Sequence, residues 1–189
     1  MRVKSDSRRI GRAGFSVIFW CLLSYAFPDA LSQNGGDGEY QVKLAVLYNF
    51  AKFVEWPPAS YPSPGAPLTI CIIGIDPFSP EIEAEVRTRT VRGRPVEILR
   101  VKPTKTLRLC HMVFIPVTER DRADQIVKDL NGSSTLTVGE VAGFAMMGGI
   151  INLTVAGSTV HFEINRLAAD RAGLKISSKL LGLAKIFSE

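Results

Sequence analysis

Cys71, Cys110, His111, His161 and Glu163 are the side chains in this sequence with the most chemistry to offer. Cys110-His111 sets a thiol beside an imidazole. A catalytic thiolate needs its base within hydrogen-bond reach. Both residues lie in the strand-like run "LCHMVFIP". Successive side chains of a strand point to opposite faces, so these two cannot face each other. A dyad of Cys110 with His161 is left as a minor alternative, and it requires an exposed thiol of low pKa. His161 and Glu163 alternate with Val160, Phe162 and Ile164 in "STVHFEI". That spacing puts both on the wet face of one strand. A general acid–base couple has this form; an ordinary solvated strand face has it too, and is the plainer explanation. Two histidines in the whole sequence are thin material for a metal site. The Walker loop, the G-x-G-x-x-G fingerprint and the G-x-S-x-G elbow are all missing.

A second place to look is set by topology. In an open α/β sheet, ligands settle beyond the carboxyl ends of the parallel strands. There the sequence offers Asp76, Thr118, Gly139 and Glu140. Nearby helix N-termini suit an anion, and helix capping accounts for the same residues without one. Gly148-Gly149 reads as a turn, where glycine supplies positive φ.

The elements that must position these groups follow from periodicity. A first helix is expected from Tyr40 to Trp56, stopped by Pro57-Pro58. Its polar residues Gln41, Asn49, Lys52 and Glu55 share one arc, and Lys43 alone breaks the apolar side. "LTICIIG" and "CHMVFIPV" are near-continuous apolar runs, as expected of strands covered on both faces. "PVEILRV" and "STLTV" add two more strands. "TERDRADQIVKDL" is an amphipathic helix with Ala123, Ile126, Val127 and Leu130 as its inner side. "GEVAGFAMMGG" reads as a short helix. "IINLTV" and "STVHFEI" flank Ala156-Gly157, a hairpin signal. Asn165 caps a further helix, "LKIS" is a short edge strand, and "SKLLGLAKIF" is a last helix. The fold class expected is α/β: a mixed, partly parallel sheet flanked by helices, with a C-terminal antiparallel hairpin.

The 189 residues suffice for one domain. Their 46% hydrophobic and 22% charged content is that of a globular chain. The net charge of +5 is concentrated at one end. Before Gln33 there are five basic residues (Arg2, Lys4, Arg8, Arg9, Arg12) and two acidic ones (Asp6, Asp29), which leaves +2 for the rest. No basic surface for nucleic acid is indicated. The arginines precede an apolar stretch, Ala13 to Phe27, too short for a comfortable membrane span. This is the pattern of a secretory signal peptide. Small residues at Ala30 and Ser32 favour cleavage after Ser32, with Ser24 and Ala26 as the alternative. The expected organisation is a signal peptide over 1–32, a linker over 33–39 and a single domain over 40–189. Export leaves two cysteines, Cys71 and Cys110, and an even count outside the cytosol favours a disulfide. It would close a loop of about 40 residues, for which chain entropy predicts about 4 kcal/mol. Two buried thiols are the alternative.

Several stretches in order carry a family likeness: "AVLYNFAKFVEWP", "LTICIIG", "VRGRPVEI", "CHMVFIP", "TLTVGEVAGFAMMGGIINL" and "VHFEINRLAADRAGLKISSKLLGLA". Together they resemble the YfiR family of periplasmic proteins, from about Tyr40 to the end. The resemblance implies a non-enzymatic repressor without cofactor or metal. It implies binding to the periplasmic sensor domain of an inner-membrane diguanylate cyclase, with lowered cyclic di-GMP and less biofilm. It implies an outer-membrane lipoprotein that sequesters the repressor, and a homodimer. Cys71 and Cys110 match one disulfide of the family. A second pair found in some members would fall near Ala145 and Asn152 and is absent here. An alternative function is a periplasmic small-molecule sensor using the crevice of Asp76, Thr118 and Glu140. For the partner or dimer interface, the aromatic-rich first helix is the expected surface, with Val46, Phe50 and Phe53 outward and Trp56 near the edge. The opposing expectation is that the final helix covers these residues within one subunit.

Overall fold

The computed structural model describes residues 35–74, 80–102, 105–156 and 159–188. The expected signal peptide and Asp76 lie outside the described residues.

Helix α1 (Gly35–Phe53) opens the fold. It begins inside the segment expected as a linker and ends three residues short of Trp56. Leu44, Leu47, Ala51 and Val54 recur at three- and four-residue spacing and are buried, which lays one side of the helix on the sheet. The early stop has a tertiary cause. Strand β1 (Val54–Glu55) pairs antiparallel with a distant strand, β9 (Lys175–Ile176). The Phe53 carbonyl accepts the Ser177 amide at 2.9 Å.

The main sheet has eight strands. Five run parallel: β2 (Leu68–Ile73), β4 (Arg94–Val101), β5 (Met112–Ile115), β6 (Leu136–Gly139) and β7 (Ile151–Ala156). Their spatial order, β4-β2-β5-β6-β7, is that of a doubly wound sheet whose direction of growth reverses between β2 and β5. β8 (Thr159–Ile164) turns back antiparallel on β7, the hairpin expected from the sequence. Two-residue strands close the edges: β3 (Thr90–Val91) on β4 and β10 (Lys185–Ile186) on β8. Edges this short resist pairing with other chains.

Alternation divides the core. Ile70, Ile72, Met112, Phe114, Leu136 and Val138 face α1, with α2 (Pro80–Arg87), α4 (Arg166–Arg171) and α5 (Ser178–Leu181) contributing Val86, Ala169 and Leu180. Cys71, Ile73, Val113 and Ile115 face the other way. They meet Leu107, the helix α3 (Ala123–Leu130), and a crossover over 140–150 that brings Val141 and Phe144. The inner side of α3 is Ala123, Ile126, Val127 and Leu130, as its spacing predicts.

Three expected elements differ. Cys110 and His111 precede β5 rather than belonging to it. The 140–149 crossover is a run of turns, not a helix. Gly143 and Gly148 sit at φ of 75° and 90°, a conformation helices cannot continue through. Gly139 and Gly149 leave the room in which the Phe144 ring sits; a side chain on either would collide with it. "SKLLGLAKIF" is likewise not one helix. α5 ends at Leu181 and Gly182 caps it. The chain then pairs with β8, and Phe187 donates to the Ile164 carbonyl at 2.9 Å.

Candidate functional site

The strand-end crevice is furnished with the protein's own charges. Glu140 follows β6, and its amide donates to the Ile115 carbonyl at 3.1 Å. Its carboxylate meets Lys43 of α1 at 2.7 Å, with side chains only 8% and 5% exposed. Lys43, the residue that breaks the apolar side of α1, is therefore there to meet a buried acid; a buried charge needs such a partner. At the reversal point, β2 ends on Gly74 at φ 81°. The buried Glu119 packs where a Gly74 side chain would stand, 2.6 Å from its Cβ position, and is paired with Arg122. Thr118 is exposed. The structure thus sets Glu140 on Lys43 after β6 and Glu119 beside Gly74 after β2; neither the Lys43 pairing nor Glu119 was indicated by the sequence. Their signal was weak: one lysine out of pattern, and an acid three residues before an arginine.

The wet face of β8 is as expected, but it assembles no couple. His161 is exposed opposite Thr154. Glu163 stands opposite Asn152 and is held by Lys185 of β10 at 2.9 Å. Beside them an open hollow of about 350 Å³ is bordered by Leu183, which is 75% exposed.

Cys71 and Cys110 form a disulfide, with Cα atoms 5.9 Å apart and a sequence separation of 39. The dyad of Cys110 with His161 is thereby removed, because the sulfur is not a thiol.

The first-helix surface is largely reassigned. Phe50 is 2% exposed and Trp56 7% exposed. Phe50 meets Phe162 of β8 edge to face, with centroids 5.1 Å apart. Strand β8 thus takes part in covering it, and Leu180 of α5 belongs to the same buried cluster. Val46 and Phe53 are half-buried against the same core. Trp56 anchors a cluster of its own. Its indole N–H donates to the His111 carbonyl at 2.8 Å. His111 stacks on Tyr61 at 4.4 Å, and the Arg94 guanidinium lies 3.7 Å from the Tyr61 ring centre. Burial pushes the Tyr61 phenol up, with Arg94 and Arg92 opposing.

A doubly wound α/β domain, stapled from β2 to the segment that leads into β5 and with ion pairs at the carboxyl ends of its parallel strands, is the class of protein defined here. Among solved structures it is similar to a conserved domain protein from Vibrio cholerae O1 biovar El Tor strain N16961. The TM-score is 0.52 at 11% identity, over 80% of this chain and 60% of that one. At that identity the likeness is one of fold alone. The chain belongs to the YfiR/HmsC-like family, which it matches over residues 40–185. That family is periplasmic and regulatory rather than catalytic. Among the described residues no helix is long and apolar enough to cross a membrane. Hydrogen bonds hold the 140–150 crossover. The Asn165 amide donates to the Ala145 carbonyl at 3.0 Å, and Asn152, with its amide oriented to donate, reaches Gly139 and Val141.

Proposed function

We propose that this chain is an exported repressor that binds the periplasmic sensor domain of an inner-membrane diguanylate cyclase and holds the enzyme in its inactive state. The observation that carries this reading is the family match over residues 40–185. The local chemistry is compatible with it: Cys110 is tied up in the disulfide and Glu163 in an ion pair. Repression of this kind needs no bond-making. A protein that prefers the inactive receptor shifts the equilibrium by the difference between its two affinities. Val46 and Phe53, half-buried on α1, are the parts of the expected interface still open to a partner or a second copy. A lipoprotein competing for the repressor would release the cyclase. Cleavage of the leader would place the chain in the periplasm.

Deleting the gene in its native host is expected to raise intracellular cyclic di-GMP and biofilm mass. Re-expression of the exported chain is expected to reverse both. Unchanged cyclic di-GMP after deletion would remove the proposal.

A further inference from the structure

His111 is placed where four parts of the fold meet. Its N–H donates to the Thr69 carbonyl at 3.0 Å, and its ring Nδ1 accepts the Thr69 amide at 3.1 Å. Its carbonyl takes both the Leu136 amide, at 2.9 Å, and the Trp56 indole. One residue thus joins β2, the start of β5, the start of β6 and the link that follows α1. His111 as a whole is 4% exposed. A backbone amide is only a donor, so Nδ1 must be a bare acceptor and the ring proton must sit on Nε2. Nε2 and the Ser60 hydroxyl are both buried, and the only group set against Nε2 among the described residues is the Ser60 backbone, outside good hydrogen-bond geometry. The groups around the ring are Trp56, Ser60 and Tyr61 from the link, Thr69 from β2 and Arg94 from β4. Among the described residues the charge that acts on it is a cation, Arg94, and no carboxylate touches it.

We propose that His111 is an acid-operated latch: a proton on Nδ1 breaks the bond to the Thr69 amide, sets a cation against Arg94, and frees the 56–61 link from the amino ends of β2 and β5. Burial first, then Arg94, hold the imidazole below its ordinary pKa, with the Ser60 backbone opposing. The sign follows. The folded protein favours the neutral ring, and the unfolded chain takes up its proton near pH 6.5. Stability is therefore complete above about pH 6.5 and falls as the pH drops from there toward the lower folded value. One proton sets the limit, about tenfold in the unfolding constant per pH unit. The window is clean, because the sequence holds only two histidines, His161 is exposed, and ordinary carboxylates titrate at about 4.

The test is urea unfolding of the purified, disulfide-linked protein at pH 7.5, 6.5 and 5.5, together with the exchange protection of the Thr69 amide. Wild type and His161→Gln are expected to lose stability, by up to about tenfold per unit below pH 6.5, and Thr69 is expected to lose protection with it. His111→Gln keeps an acceptor that does not titrate, and its stability should stay flat over that range. A flat wild type, or an H111Q variant with the wild-type pH dependence, would overturn the latch. Should H111Q fail to fold, ring nitrogen chemical shifts of wild type decide the matter. The expected result is the Nε2–H form with a depressed titration; the Nδ1–H form, or titration near 6.5, would end it.

Discussion

Replacing Trp56 with alanine is expected to lower the stability of this domain by about 3–5 kcal/mol, read as a shift of the urea midpoint at constant slope. Trp56 is buried, and its truncation empties a large volume between α1, the 56–61 link and the sheet. It also removes the donor that ties the link to the His111 carbonyl. Trp56→Phe separates the two contributions. It keeps most of the apolar area and loses the indole N–H, at about 0.5–1.5 kcal/mol for the hydrogen bond. An alanine variant within 1 kcal/mol of wild type, roughly the size of a surface change, would show that the residue lies in a looser place than described. The same position explains the Glu-Trp-Pro-Pro sequence that follows the first helix. Strand β1 takes the chain out of the helix at Val54, the prolines bar any return to it, and Trp56 between them is buried in the core.

Opening the disulfide, by reduction or by replacing Cys71 and Cys110 together with alanine, is expected to remove about 4 kcal/mol. The bridge spans 39 positions, and the loop it closes contains α2, β3 and β4. Without it the β3–β4 edge is held to the rest by ordinary packing and the β2 ladder, so amide exchange should quicken there first. Two free thiols in the protein isolated from its own compartment, by mass spectrometry, would contradict this account. So would equal unfolding midpoints with and without reductant.

What the sequence revealed was local. "LTICII" and "MVFI" read as buried strands because apolar residues run without a gap, and both lie inside the sheet. α3 was legible because Ala123, Ile126, Val127 and Leu130 repeat at helical spacing. The β7–β8 hairpin was legible because Val160, Phe162 and Ile164 alternate with polar residues. What escaped was long-range. The aromatic content of α1 suggested an outward surface, yet Phe50 is buried against Phe162 of β8. Lys43 looked misplaced until Glu140 met it. β1 and β10 have two residues each, too few to carry a period, and their pairing with β9, the short strand expected in "LKIS", and with β8 cut short both the first helix and the last. At the strand ends, the partner of Glu140 could not be read from the sequence, and Glu119 gave no signal beyond its neighbouring arginine. Hydrophobic pattern records which face is buried, not which distant strand buries it.

The central claim is repression by binding. It is tested most directly by reconstituting a diguanylate cyclase of the native host, periplasmic domain included, in lipid vesicles, adding the purified chain on the sensor side and measuring cyclic di-GMP formation. The account predicts a dose-dependent fall that saturates, with the chain itself consuming no nucleotide. Unchanged synthesis at saturating chain, across every such cyclase the host encodes, would contradict it.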